Sequence, residues 1–174
     1  SSQASPVRHV AASFSELRHH LVESGRTGEL YSASVRMTKF VLSRIPKPKH
    51  SKIPHTIESL EEHIALISAL PEGEREPGLE YHLALCLKQR NTGNDYKNAL
   101  SHVRMAARAD SYYAVWLLLI ELEYEINGVV AMRAAMNNAL RHLGNGSNVS
   151  AVYRACANLL DKDGRPEEAV NLLE

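Results

Sequence analysis

The sequence is short of most features that mark a known chemistry. It has no run of ~18 uncharged apolar residues, the length a membrane-spanning helix needs; the most apolar stretch, Trp116 to Ile120, is closed by Glu121, Glu123 and Glu125. The N-terminus carries no apolar segment followed by a small-residue cleavage site, and the expected location is cytoplasmic. Cysteine is reduced to Cys86 and Cys156, 70 positions apart and neither within a CxxC. That spacing gives no support for zinc, and two buried free thiols on apolar helical stretches are expected instead. Gly-rich phosphate loops, GxSxG and HExxH are all missing. So is sustained period-two alternation, which leaves no basis for a sheet.

Histidine is plentiful, with nine residues, but its placement is uninformative. His19 and His20 are adjacent and diverge on a helix. His50 and His55 flank a proline-rich stretch and read as solvent-exposed. His82, His102 and His142 fall on predicted helices and read as surface or groove residues rather than ligands. Glu121 and Glu125, four apart, repel mildly on one helical face, and Asp161 and Asp163 flank a turn. A hydrolytic carboxylate pair must face across a cleft, and nothing in these spacings implies one. Two N-x-S sites, Asn145 and Asn148, lie in a turn whose composition is explained by helix termination at Gly144 and capping by Asn148. The chain is therefore expected to be non-enzymatic in itself, with no catalytic, cofactor or metal residue.

What is present points to helices. At 174 residues and 44% apolar content, the chain can bury a substantial core. Charge sums to zero but unevenly: residues 1–56 hold nine Lys or Arg against three Glu, and 57–174 hold eleven against seventeen Asp or Glu. Phe14, Leu17 and Leu21 recur at helical spacing, as do Leu30, Ala33, Met37, Phe40 and Val41. Ile57, Leu60, Ile64 and Ile67 mark a further helix, with Thr56 as its cap and Glu58 in its first turn. Gly25 and Gly28 separate the first two. Pro46, Pro48 and Pro54 enclose a basic linker, and a second break runs through the acidic segment 71–78. Two regions follow: a basic N-terminal helical segment with its proline-rich linker (1–56), and a helical region (57–174).

From Gly78 onward the chain is self-similar. Tyr153, Cys156, Ala157 and Leu160 form an apolar stripe. Gly164 then ends that helix with a positive φ, Pro166 opens the next at a position where its missing N–H costs nothing, and Glu167 and Glu168 sit at its positive end. Tyr153, Ala157 and Ala169 occupy a bulky–small–small pattern that resembles the tetratricopeptide repeat, a helix–turn–helix unit of about 34 residues. The preceding unit has Trp116, a turn at Asn127-Gly128 and Ala139, but departs from the family by carrying Ile120 and Met132 where small residues belong. The unit before that has Tyr81 to Leu87, a longer loop at Asn91-Thr92-Gly93, then Asp95 to Leu100 and Ala106. The resemblance covers residues 78–174, in units 78–111, 112–148 and 149–174. It implies an all-α fold of antiparallel helix pairs stacked as a short right-handed α-solenoid. The last unit ends on the apolar Ala169, Val170, Leu172 and Leu173 where arrays finish with a polar cap, so the chain is expected to be a piece of a longer protein.

In that family the first helix of each pair lines a concave groove that holds a peptide. Carried over by position, the groove residues are Tyr81, Leu85 and Lys88, then Leu117, Glu121, Tyr124 and Glu125, then Arg154, Asn158 and Lys162. Tyr81 and Leu85 stand where a carboxylate-clamping subgroup has Lys and Asn, which argues against a C-terminal carboxylate as ligand. Trp116 and Phe40 read as core. The expectation is a protein-interaction module with a protein or peptide partner, and with homo-oligomerisation through the repeat ends as a further partner mode. The alternatives are a helical accessory or oligomerisation region of a larger enzyme, and binding of an anionic surface or nucleic acid by the basic N-terminal third. For the last, Lys47, Lys49 and Lys52 lack interleaved aromatics and so offer no stacking platform.

Overall fold

In a computed structural model the chain is described over residues 57–174, except 71, 76, 110–112 and 147, together with positions 13, 16, 17, 19–21, 23–26, 29 and 36. Expectations that rest on Phe14, Leu30 to Val41, the Pro46–Pro54 linker, His50, His55 and Thr56 lie outside the described residues. Among those described, every regular element is helical and there is no strand. From residue 57 onward seven α-helices run in order: α1 (Ile57–Ser68), α2 (Pro77–Arg90), α3 (Asp95–Arg108), α4 (Tyr113–Asn127), α5 (Val129–Leu143), α6 (Val149–Lys162) and α7 (Pro166–Leu173). The chain divides into two compact units, Ser1–Asp95 and Tyr96–Glu174.

In the first unit α1 packs against α2. Leu60, Leu66 and Ile67 give α1 a buried stripe, and α2 is buried at Leu79, His82, Leu83, Ala84, Cys86 and Leu87. So broad a buried surface suits a helix enclosed on more than one side rather than one lying on a surface. The acidic break between them is not open loop. It holds a 3-10 turn at Glu72–Glu74, after which the Arg75 guanidinium donates to the carbonyls of Ile67 (3.2 Å), Ser68 (3.3 Å) and Leu70 (3.1 Å). Ile67 and Ser68 end α1 and Leu70 follows it, and the Ile67 carbonyl also accepts the Leu70 N–H at 3.1 Å. The same guanidinium pairs at 3.4 Å with Glu80 in the first turn of α2, both side chains being more than nine-tenths buried. One side chain thus closes α1 and ties it to α2.

Farther along the unit, α2 ends in a second clamp. The Asp95 carboxylate accepts two hydrogen bonds of 2.8 Å from Arg90 Nε and Nη2, and two of 3.0 Å from the Thr92 N–H and hydroxyl. The Asp95 N–H in turn donates to the Thr92 carbonyl at 3.0 Å. The Asp95 side chain thus reaches back to the Thr92 N–H, as one half of a capping box does, and places a carboxylate at the positive end of α3. The Arg90 guanidinium holds the Asp95 carboxyl down at about 2, with help from the Thr92 backbone. Earlier in the unit Gly25 has φ +69° and Leu21 is buried, as a helix ending there requires, but Leu17, expected on the same face, is 42% exposed.

In the second unit α4 packs against α5, α6 packs against both, and α7 packs against α6. The α4–α5 connection is a single residue, Gly128, at φ +88°, a backbone region that L side chains avoid. Its N–H donates back to the carbonyls of Glu123 and Tyr124. The α6–α7 turn has Gly164 at φ +78° and Pro166 as the first residue of α7, with Glu167 and Glu168 in the first turn. Asn148 does not cap α6 with its side chain: it sits at φ −75°, ψ −13° without the expected hydrogen bond. A cap needs an extended backbone to aim its oxygen at the following N–H groups, and this residue is already helical. Ala84, Ala99 and Ala139 are fully buried, and Ala157 and Ala169 nearly so. Ile120 and Met132, the two departures from the repeat pattern, are fully buried as well. Cys86 and Cys156 are free buried thiols, each pushed up to about 12 by burial.

Candidate functional site

Of the expected groove residues of the second unit, Tyr124 and Glu125 of α4 meet Lys162 of α6. On α4, Leu117, Glu121, Tyr124 and Glu125 follow at helical spacing; on α6, Arg154, Asn158 and Lys162 recur every fourth residue and share a face in the same way. The two faces join at their C-terminal ends. Lys162 Nζ donates to Glu125 Oε1 at 2.8 Å and lies 5.8 Å from the centre of the Tyr124 ring. The Tyr124 hydroxyl donates to Asp163 Oδ1 at 3.0 Å. Glu125, Arg154, Asn158 and Lys162 are exposed, while Leu117, Glu121 and Tyr124 are half-buried. The hydrogen bond that Lys162 donates to Glu125 raises its ammonium pKa, with Glu121 adding to the field. An ion pair this open is screened by solvent and adds little to folding.

Tyr81, Leu85 and Lys88 belong to the first unit, where their spacing places them on one face of α2 and all three are half-buried. The sequence reading of His82 is overturned. It is 0% exposed, because α2 is enclosed and not a surface helix, and burial followed by the nearby His63 pushes its imidazole down to about 4. His142 is exposed and His102 half-buried.

Two arrangements escaped the sequence reading. The first is a cleft of about 520 Å³ in the second unit, between α3, α4 and α5. Ala107, Ala131, Ala134 and Ala135 keep it open, and Arg108, Asn138 and His142 stand along it. Trp116, expected as core, is 4% exposed and also lines this cleft. Its ring lies 4.9 Å from that of His142, and its indole N–H, though buried, has no hydrogen-bond partner. At the inner edge Arg104 holds the buried Glu123 through Nε (2.9 Å) and Nη2 (2.5 Å), and Asn127 donates to the other carboxylate oxygen at 2.9 Å. The sequence signal was the run of small residues on one face of α5.

The second arrangement lies between α1 and α2. His63 Nδ1 is 2.9 Å from His82 Nε2, the two rings are 5.2 Å apart, and Cys86 is one helical turn beyond His82. The donor atoms of all three side chains lie within 4.8 Å of one another. The i, i+4 spacing of His82 and Cys86 was readable, but the third member needed the register of α1 on α2.

No known relative decides among these. No family model, curated protein or solved structure matches the chain. No helix among the described residues is long and apolar enough to cross a membrane.

Proposed function

We propose that the chain is a protein-interaction module built as a short solenoid of TPR-like helix pairs, which holds a partner segment against the face formed by α4 and α6. The observation that carries this is the convergence of groove residues chosen from repeat positions alone: Tyr124 and Glu125 of one first helix meet Lys162 at the end of the next. Supporting it, α6 packs on both members of the preceding pair, as serial stacking demands, and the small residues at the expected crossings are buried. The face mixes a rigid aromatic with charges of both signs, a composition suited to recognition rather than to core packing. Two free buried thiols fit a reducing compartment, so the module is read as acting in the cytoplasm.

The test is peptide selection by display on the purified chain, followed by binding of the selected peptide to variants. Glu121→Lys with Glu125→Lys, and separately Lys162→Glu, should each leave the helical circular dichroism intact and weaken binding at least tenfold. Asn137→Lys, an exposed change on α5, should not. Selected peptides that bind all three variants as tightly as the parent would remove this face from consideration.

A second reading rests on the cleft beside Trp116. A buried indole N–H without an acceptor costs on the order of 1–3 kcal/mol, and a ligand carbonyl placed there would supply the acceptor. Peptides sensitive to His142→Ala but indifferent to Lys162→Glu would favour it.

A further inference from the structure

We infer that His63, His82 and Cys86 form a binding site for a single zinc-class metal ion between α1 and α2. Three donors converge from two packed helices, with all donor atoms within 4.8 Å of one another. His82 and Cys86 stand one turn apart on α2, and His63 is brought to them from α1 at 2.9 Å. Two imidazoles and a thiolate are borderline-to-soft ligands. They select zinc, or copper(I), over magnesium and calcium, which require oxygen.

The geometry is close to what such an ion needs. Bonds of ~2.0–2.1 Å to nitrogen and ~2.3 Å to sulfur set tetrahedral donor separations of ~3.3–3.6 Å. The His–His contact therefore opens by a few tenths of an ångström and the sulfur closes by up to about 1.2 Å. Three protein donors leave a fourth position for water. Three protein ligands and a water are the complement of an accessible zinc centre rather than a closed structural one.

Proton balance is simple. The proton shared by the facing ring nitrogens leaves that position, and the far nitrogen of the same ring takes one up, so both facing lone pairs turn to the metal. Cys86 gives its thiol proton to solvent. One proton is released per ion bound. A bound dication supplies the counter-charge that stabilises the Cys86 thiolate.

The alternative is a hydrogen-bonded pair of neutral core histidines with a cysteine nearby and no affinity for metal. Cobalt(II) titration of the reduced, untagged chain separates the two. Binding should saturate at one ion per chain, with a thiolate-to-cobalt charge-transfer band and visible bands of four-coordinate intensity. Zinc(II) should displace cobalt and raise the melting temperature. Cys86→Ser should abolish the charge-transfer band, while Cys156→Ser should leave it unchanged. Because a buried substitution can disturb folding, the half-buried His63→Gln is the second arm: with circular dichroism unaltered, it should weaken cobalt at least tenfold and remove the zinc-dependent rise in melting temperature. Absence of the band at millimolar cobalt, or equal affinity in the parent and His63→Gln, would overturn the assignment.

Discussion

Asp95 offers the sharpest check on the electrostatics of this fold. Its carboxylate takes both 2.8 Å bonds from Arg90 and both 3.0 Å bonds from Thr92. Asp95→Asn keeps the shape and an acceptor for Thr92 but removes the charge. The side chain of Asp95 is 6% exposed and that of Arg90 26%. A charge-assisted hydrogen bond contributes roughly 1.5–3 kcal/mol, and Arg90 can recover part of this in water, so a loss of about 1–2 kcal/mol is expected. The pH dependence follows with a definite sign. The folded carboxyl sits at about 2, below its ordinary 3.8, so its contribution is fully present above the unfolded value and is lost as pH falls through the folded one. The assay is urea unfolding of the parent, Asp95→Asn, Arg90→Gln and the double variant, at neutral pH and near the folded pKa. The coupling energy should be about 1–2 kcal/mol at neutral pH and shrink toward zero in acid. A coupling below ~0.3 kcal/mol at neutral pH would show that the clamp does not hold in solution.

Three further outcomes are expected. Ala169→Trp, at a residue buried against α6, should cost roughly 1–3 kcal/mol by overpacking; an unchanged melting temperature would count against the close crossing. Gly128→Ala has open space for its Cβ but a φ of +88°, so it should cost about 1 kcal/mol or more through backbone strain alone, read as a shift in urea midpoint without a change in slope. Both thiols, pushed up to about 12 by burial, should resist a thiol reagent at neutral pH and react with two equivalents once the chain is unfolded; rapid labelling of the native protein would contradict their burial.

The parts of the fold that were legible in the sequence are those governed by local chemistry. Gly128, Gly144 and Gly164 stand where the backbone takes positive φ, and Pro166 begins a helix because proline is tolerated there. Ala157 and Ala169 were readable as buried positions, since a small residue in an apolar stripe has few other uses. Legibility failed where an outcome depends on how one helix seats on another. Arg75 reads as one more charge in an acidic break, yet it caps α1 from outside the helix. His82 reads as a surface residue because its neighbours do not reveal that α2 is enclosed. The pairing of His63 with His82, 19 positions apart, and the cleft built from three helices follow from register, and no periodicity within a single helix encodes register. Asn148 failed for a different reason: its identity favours a cap, but its backbone conformation does not permit one.

Arg75 makes the α1–α2 pair depend on a single flat cation. It spans three peptide oxygens and a carboxylate at once, a reach that comes from the fork of the guanidinium and that a lysine ammonium, with its compact charge, does not have. The mild exchange of one basic residue for another would therefore unfasten the start of α2 from the end of α1, and the two imidazoles that face each other across that seam would lose their alignment without either having been touched.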